Sequence, residues 1–276
     1  MSRGEIWRVC WRTKGNAMRF GGLSVFLLLL SSIGTASAAD PVSLPESVEA
    51  PKAWTFHVQP YLWAASMDVT SRPGARVPSA SASLPFKEIL ENLKFNGTVA
   101  FSAHRGRFGV AGDLQYADLR ASKETPGSLF SRRRVTTKLF IGSAFGEYKA
   151  IVDPRGELIL SGGVRFYNSD TRLDLTAGTV PAISASASDF WADPMIGLRG
   201  EFNVTPKVFL NGWAYIGGFG VGSELSTDLF AGAGYKFTEN VSANVGFRYL
   251  HFDRDTPSFA LEMDEYGPFA GLIFSF

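Results

Sequence analysis

Cysteine is almost missing from this chain. Among 276 residues only Cys10 is a cysteine, which excludes a disulfide framework and any multi-cysteine zinc or iron–sulfur site. Charge is scarce and nearly balanced, with 19% charged residues and a formal net charge of +1. Nothing there favours a nucleic-acid partner. A long hydrophobic run is missing too. The one apolar run, Leu23 to Ile33, falls short of the ~20 residues that a spanning helix needs. What remains is apolar and aromatic: 45% hydrophobic, 13% aromatic, 29 glycines and 23 phenylalanines. A disordered chain has the opposite composition. Apolar content without spanning helices points to an all-β protein whose outer face meets lipid.

Residues 1–38 read as a secretory signal peptide. Arg3, Arg8, Arg12, Lys14 and Arg19 form a basic n-region, the Leu23–Ile33 run follows, and Ala36-Ser37-Ala38 fits the small-x-small cleavage rule. A signal of ordinary length would start at Met18. Removing 1–38 takes away five basic residues and Glu5. It leaves 22 Lys and Arg against 25 Asp and Glu, a net charge of −3, and no cysteine. Such a chain can cross an oxidising periplasm without a wrong disulfide. Residues 39–53 read as a short periplasmic segment, and 54–276 as one domain.

That domain alternates with a period of two. Trp54, Phe56, Val58, Pro60, Leu62 and Ala64 share one face of the first segment. Successive side chains of a strand point to opposite faces, so this is a lipid-facing row with an inner row behind it. Similar outward rows recur to the end of the chain, among them Phe108, Val110, Leu114 and Tyr116, then Val135, Leu139, Ile141 and Phe145. Ten such strands predict a transmembrane antiparallel up-and-down β-barrel. If the first strand runs outward, the periplasmic links are short and turn-like, at 105–106, 153–156, 203–207 and 238–240. The external links, about 70–94, 121–133, 170–188, 222–226 and 253–263, are mostly long, the pattern of bacterial outer-membrane barrels. The first of them holds a helix signal. Phe86, Ile89, Leu90 and Leu93 follow i, i+3, i+4, i+7 after Pro85, with Ser83 as a cap. Its apolar stripe is expected to face the barrel mouth.

The chain ends on Gly271-Leu272-Ile273-Phe274-Ser275-Phe276. The Gly271, Phe274 and Phe276 pattern resembles the signal by which outer-membrane barrels are recognised by their insertion machinery. Phe269 stands where that pattern expects a polar residue. The segments Phe56–Trp63, Leu84–Phe95 and Phe247–Asp253 resemble a group of proteobacterial outer-membrane barrel proteins, with His251 standing where an acid is expected. That resemblance implies a barrel loosely grouped with OmpA-like and porin-family proteins, without the peptidoglycan-binding domain. It implies no reaction and no cofactor.

The inner rows hold His57, His104, Asp113, Lys138, Arg165, Asp193, Arg199, Glu201, Asp228, Lys236, Arg248 and Glu265 as candidate lumen-lining residues. Inward Tyr61, Trp63, Phe140, Tyr167, Trp191, Trp213, Tyr215, Phe230 and Phe269 would crowd the same space. Ten strands enclose little more room than side chains fill. The expectation is therefore a monomeric outer-membrane barrel of structural or surface role, its lumen filled by aromatics and ion pairs, with no metal and no catalysis. The alternatives are a narrow passive channel and an outer-leaflet lipid hydrolase built on Thr227, His251 and Asp264. Arg120, Lys123, Arg132, Arg133 and Arg134 form a basic patch at the outer rim, suited to lipopolysaccharide phosphates.

Overall fold

The computed structural model describes residues 53–72, 80–124, 130–256 and 259–276. Residues 1–38, read from the sequence as a signal peptide, with Cys10 and Met18, lie outside the described residues. The strands are β1 (Trp54–Trp63), β2 (Ser66–Arg72), β3 (Ala80–Leu84), β4 (Leu93–Arg105), β5 (Phe108–Glu124), β6 (Phe130–Asp153), β7 (Gly156–Ala177), β8 (Ile183–Asn203), β9 (Val208–Gly218), β10 (Leu225–Lys236), β11 (Val241–Thr256) and β12 (Phe259–Ser275). A short helix, α1 (Phe86–Asn92), follows β3.

Each strand from β4 onward pairs antiparallel with the next, and β1 pairs with both β4 and β12. The result is a closed barrel of ten strands with no free edge. Closure matters in lipid, where an unpaired backbone group costs several kcal/mol. At the seam Phe56 and Phe276 exchange both backbone hydrogen bonds, at 3.1 and 3.0 Å. Beyond the barrel, β2 continues along the outer part of β12, and β3 pairs onto β2.

The outer wall is apolar. Leu62 is 74% exposed and Val245 61% exposed, among many large hydrophobics on the same face. A continuous apolar band of this size belongs in lipid, not water. Polar strand positions turn inward instead, which is why Arg165, Asp193, Asp228 and Arg248 are buried.

The two ends differ as the link lengths predict. At one end β4–β5, β6–β7, β8–β9 and β10–β11 are joined by tight turns. Gly106 in the first adopts a positive φ of 63°. At the other end the predicted long links are largely strand: β5 runs to Glu124, β6 starts at Phe130, β7 reaches Ala177 and β8 starts at Ile183. The hairpins continue past the apolar band because residues such as Val135, Thr136, Thr137 and Thr171 favour pleated backbone. Without lipid there, the polar–apolar alternation that marks a strand in the sequence is lost.

The face assignment of β6 needs correction. Ile141 and Phe145, read from sequence as lipid-facing, are 2% and 6% exposed and point inward. Lys138 and Phe140, read as inward, are on the outer face. Register decides this. Phe140 pairs with Tyr116 and Lys138 with Asp118, both outward positions of β5. The outward row of β6 includes Gly142, Ala144 and Gly146, too small to announce a lipid face. Its inward row carries Phe145, stacked on Tyr215 with ring centroids 4.7 Å apart.

Candidate functional site

The centre of the lumen is a layer of charge. Asp228 of β10, Arg165 of β7 and Arg248 of β11 are each 1% exposed. Asp228 Oδ2 accepts from Arg165 Nη2 at 2.6 Å and from Arg248 Nη2 at 2.7 Å. Its Oδ1 accepts from Arg248 Nε at 3.0 Å and from Trp213 Nε1 at 2.9 Å. Asp113 completes the layer. It accepts from Tyr61 OH and from Gln115 Nε2, both at 2.9 Å. Arg248 Nη1 donates to the Tyr61 oxygen at 3.0 Å, and Arg165 Nε donates to Ser143 Oγ at 2.8 Å. Strand alternation brings these groups together from β1, β5, β6, β7, β9, β10 and β11. Buried charges survive only when paired and hydrogen-bonded in this way.

Aromatic rings close the space around the layer. Trp213 stacks on Phe230 at 4.2 Å, Tyr61 on Phe269 at 4.7 Å, and Tyr167 on Trp191 at 4.8 Å. The Arg248 guanidinium lies 4.9 Å from the Trp63 ring centre. Toward the long-hairpin end, the β9–β10 link folds in. Ser223 donates its backbone N–H to Asp193 Oδ1 at 2.6 Å and receives Trp191 Nε1 on its hydroxyl at 3.0 Å. Arg254 holds the same link through the Gly222 carbonyl at 2.7 Å and pairs with Asp189 at 2.9 Å.

A second charged group lies toward the tight turns. Glu147 meets His104 Nε2 at 2.9 Å and Arg199 Nη2 at 3.0 Å, and accepts from Ser161 at 3.2 Å. Lys236 bridges Glu201 and Asn203 at 3.0 and 2.7 Å. His57 Nδ1 lies 2.9 Å from Ser275 Oγ. Glu265 is buried in the long-hairpin half. The lumen candidates named from sequence thus line the interior, with Lys138 the exception. Glu147, which holds two of them, was missed. The sequence gives β6 the opposite parity, and Glu147, between Gly146 and Tyr148, belongs to no local motif.

The central layer separates two cavities. One of about 100 Å³ extends toward the tight turns, to His57 and Ile273. The other, about 80 Å³, lies under α1 at the barrel mouth, against Phe86, Ile89 and Leu93. The helix stripe therefore faces the mouth, although Leu90 is 55% exposed. The residue at the N-cap of α1 is Pro85, which offers no side-chain cap. The first amide of the helix is met by Ser66 Oγ at 3.1 Å instead of by Ser83.

Lys138 joins a basic outer wall. Arg120, Arg134, Lys138 and Arg172 share a concave face of β5 to β7 with Asp170 and Asp174, just past the outward rings of Phe140, Phe166 and Phe190. Hydrogen bonds from Ser184 and then Arg172 hold the Asp174 carboxyl below its ordinary range. Arg132 pairs with Glu124 at 2.8 Å. The side chains of Lys123 and Arg133 lie outside the described residues; their backbones pair across β5 and β6. The Thr227–His251–Asp264 row lies on the outer face in direct register, with His251 Nδ1 2.9 Å from Asp264 Oδ1.

No protein-family model matches the sequence, and no curated protein does. Solved structures do. The outer membrane protease OmpT of Escherichia coli aligns over 84% of this chain and 99% of its own, at 10% identity and a TM-score of 0.54. The translocator domain of the autotransporter NalP from Neisseria meningitidis aligns over 79% and 88%, at 10% identity and a TM-score of 0.44. The attachment invasion locus protein Ail of Yersinia pestis aligns over 81% and 98%, at 9% identity and a TM-score of 0.35. The OmpT likeness is one of fold; the other two carry no argument. No family-model match supports the OmpA-like or porin-family grouping. The ten-stranded closure, the apolar wall and the OmpT likeness agree on one architecture, the outer-membrane β-barrel.

Proposed function

We propose that this barrel is a non-catalytic outer-membrane protein of structural or surface role, with a lumen closed at mid-height. One observation carries the reading: the Arg165–Asp228–Arg248 layer, fully buried and packed between stacked aromatics. A conducting pore needs a continuous wet path, and this layer interrupts it. The Thr227–His251–Asp264 row lies on the outer wall; among the described residues Thr227 makes no hydrogen bond to His251, the nucleophile–base contact on which the hydrolase alternative depends. On the outer wall, Arg120, Arg134, Lys138 and Arg172 sit beside the apolar band, the height at which lipopolysaccharide carries its phosphates. Arginine suits such phosphates through bidentate contacts. Single-channel recording of the refolded protein in planar bilayers tests the closed lumen. Silence is the expected result. Stable conductance steps would replace this reading by the narrow passive channel.

A further inference from the structure

The cavity at the barrel mouth holds a carboxylate that nothing in the fold uses. Glu265 of β12 stands in register with Leu250 of β11 and Met67 of β2, and is 6% exposed. Among the described residues no hydrogen bond or ion pair reaches its carboxylate. Its oxygens are not sealed in protein. Trp63 Nε1 is both unpartnered and inaccessible, whereas the Glu265 oxygens keep accessible surface and the residue lines the cavity. Arg248 supplies no partner, because its Nε and Nη2 bond Asp228 and its Nη1 bonds Tyr61. The cavity lining contains no lysine, arginine or histidine. A buried carboxylate without a donor is costly. What this cavity lacks is therefore a cationic donor.

Size and lining narrow the class further. At about 80 Å³ the space takes several waters or one molecule of about five non-hydrogen atoms. Trp63, Met67 and Ile141 make its walls apolar, and α1 covers it with Phe86 and Ile89. Gln115 spends its Nε2 on Asp113 Oδ1, which leaves its side-chain oxygen as a second acceptor. We infer that the cavity binds a small primary alkylammonium. The ammonium group sits on the Glu265 carboxylate, and the alkyl chain lies against Met67, Ile141 and the helix. A primary ammonium brings three donors to a site that offers only acceptors, and its bond to a carboxylate is about twice as strong as a neutral one. The cavity lies on the long-hairpin side of the central layer, and no residue of α1 is buried. Occupancy therefore needs no passage through the barrel.

Isothermal titration of the full chain refolded in detergent tests this, with n-butylammonium as the probe and n-butanol as its neutral counterpart of equal size. At about pH 8 the amine keeps its proton, as a lysine side chain does. Butylammonium is expected to bind saturably at one site, and butanol roughly tenfold or more weakly. Glu265→Gln keeps the shape and removes the charge. It should weaken butylammonium roughly tenfold or more, the loss of one charge-assisted hydrogen bond. Ala117→Leu fills the cavity without touching Glu265 and should abolish binding. Heat-modifiable gel migration establishes that each variant is folded; should one fail to fold, the other decides. No saturable butylammonium binding, equal binding of butanol, or unchanged affinity in a folded variant overturns the proposal.

Discussion

Removing the Asp228 carboxylate is the sharpest test of a closed, dry centre. In Asp228→Ala two arginines lose their shared acceptor, and Trp213 Nε1 loses its partner at 2.9 Å. Four hydrogen bonds from three side chains end on this one group. Breaking a buried ion pair by removing one partner costs about 3–5 kcal/mol, because the remaining charge stays buried. Both partners are 1% exposed, and Arg165 loses its carboxylate partner while Arg248 keeps Asp113 at 3.5 Å, so the cost belongs within that range. The comparison is Arg132→Ala. Arg132 bonds Glu124 at a similar 2.8 Å, but their side chains are 45% and 70% exposed. Exposed pairs of this kind contribute about 0–1 kcal/mol. Urea unfolding in lipid vesicles, followed by tryptophan fluorescence and gel migration, measures both. Asp228→Asn, which keeps the shape and one acceptor, should fall between. If Asp228→Ala costs no more than Arg132→Ala, water already reaches the layer, and the closed-lumen argument fails.

Two adjacent glycines make a second comparison. A Cβ on Gly163 would lie 2.0 Å from the Ala144 carbonyl oxygen, whereas one on Gly162 would meet nothing within 4 Å. Gly163→Ala should cost roughly 1–3 kcal/mol by forced backbone shift, and Gly162→Ala should stay within about 0.5 kcal/mol, in the same unfolding assay. Equal effects would mean the β6–β7 register is wrong. Phe276→Ala should lower the amount of barrel in the outer membrane, read from fractionated cells, since Phe276 ends the terminal aromatic pattern and closes the seam with Phe56. A tag at Gly178, in the β7–β8 link, should be reached by antibody on intact cells, while one at Gly156 should not. Labelling of the Gly156 site would invert the membrane orientation.

Much of this architecture is written in the sequence, because lipid imposes a simple rule on a strand. Outward positions must be apolar, so the rows from Trp54 to Leu62 or from Phe108 to Tyr116 declare their face without further information. The tight turns, the ten-strand count and the helix over Phe86–Asn92 follow from equally local signals. Period two, however, yields two rows and does not say which is inside. Where the lipid row is small, as with Gly142, Ala144 and Gly146, and the inner row is aromatic, the pattern inverts. Only pairing of β6 with β5 places Lys138 and Phe140 outside and Glu147 inside. The partners of the buried charges were equally beyond the sequence. Asp228 meets Arg165 across 63 positions, and Tyr61 meets Arg248 across 187. Those distances along the chain close only when β1 pairs with β12 and the wall becomes a barrel. Composition gives only the near balance of charge; closure alone decided which charges meet in one layer and which acceptors they saturate.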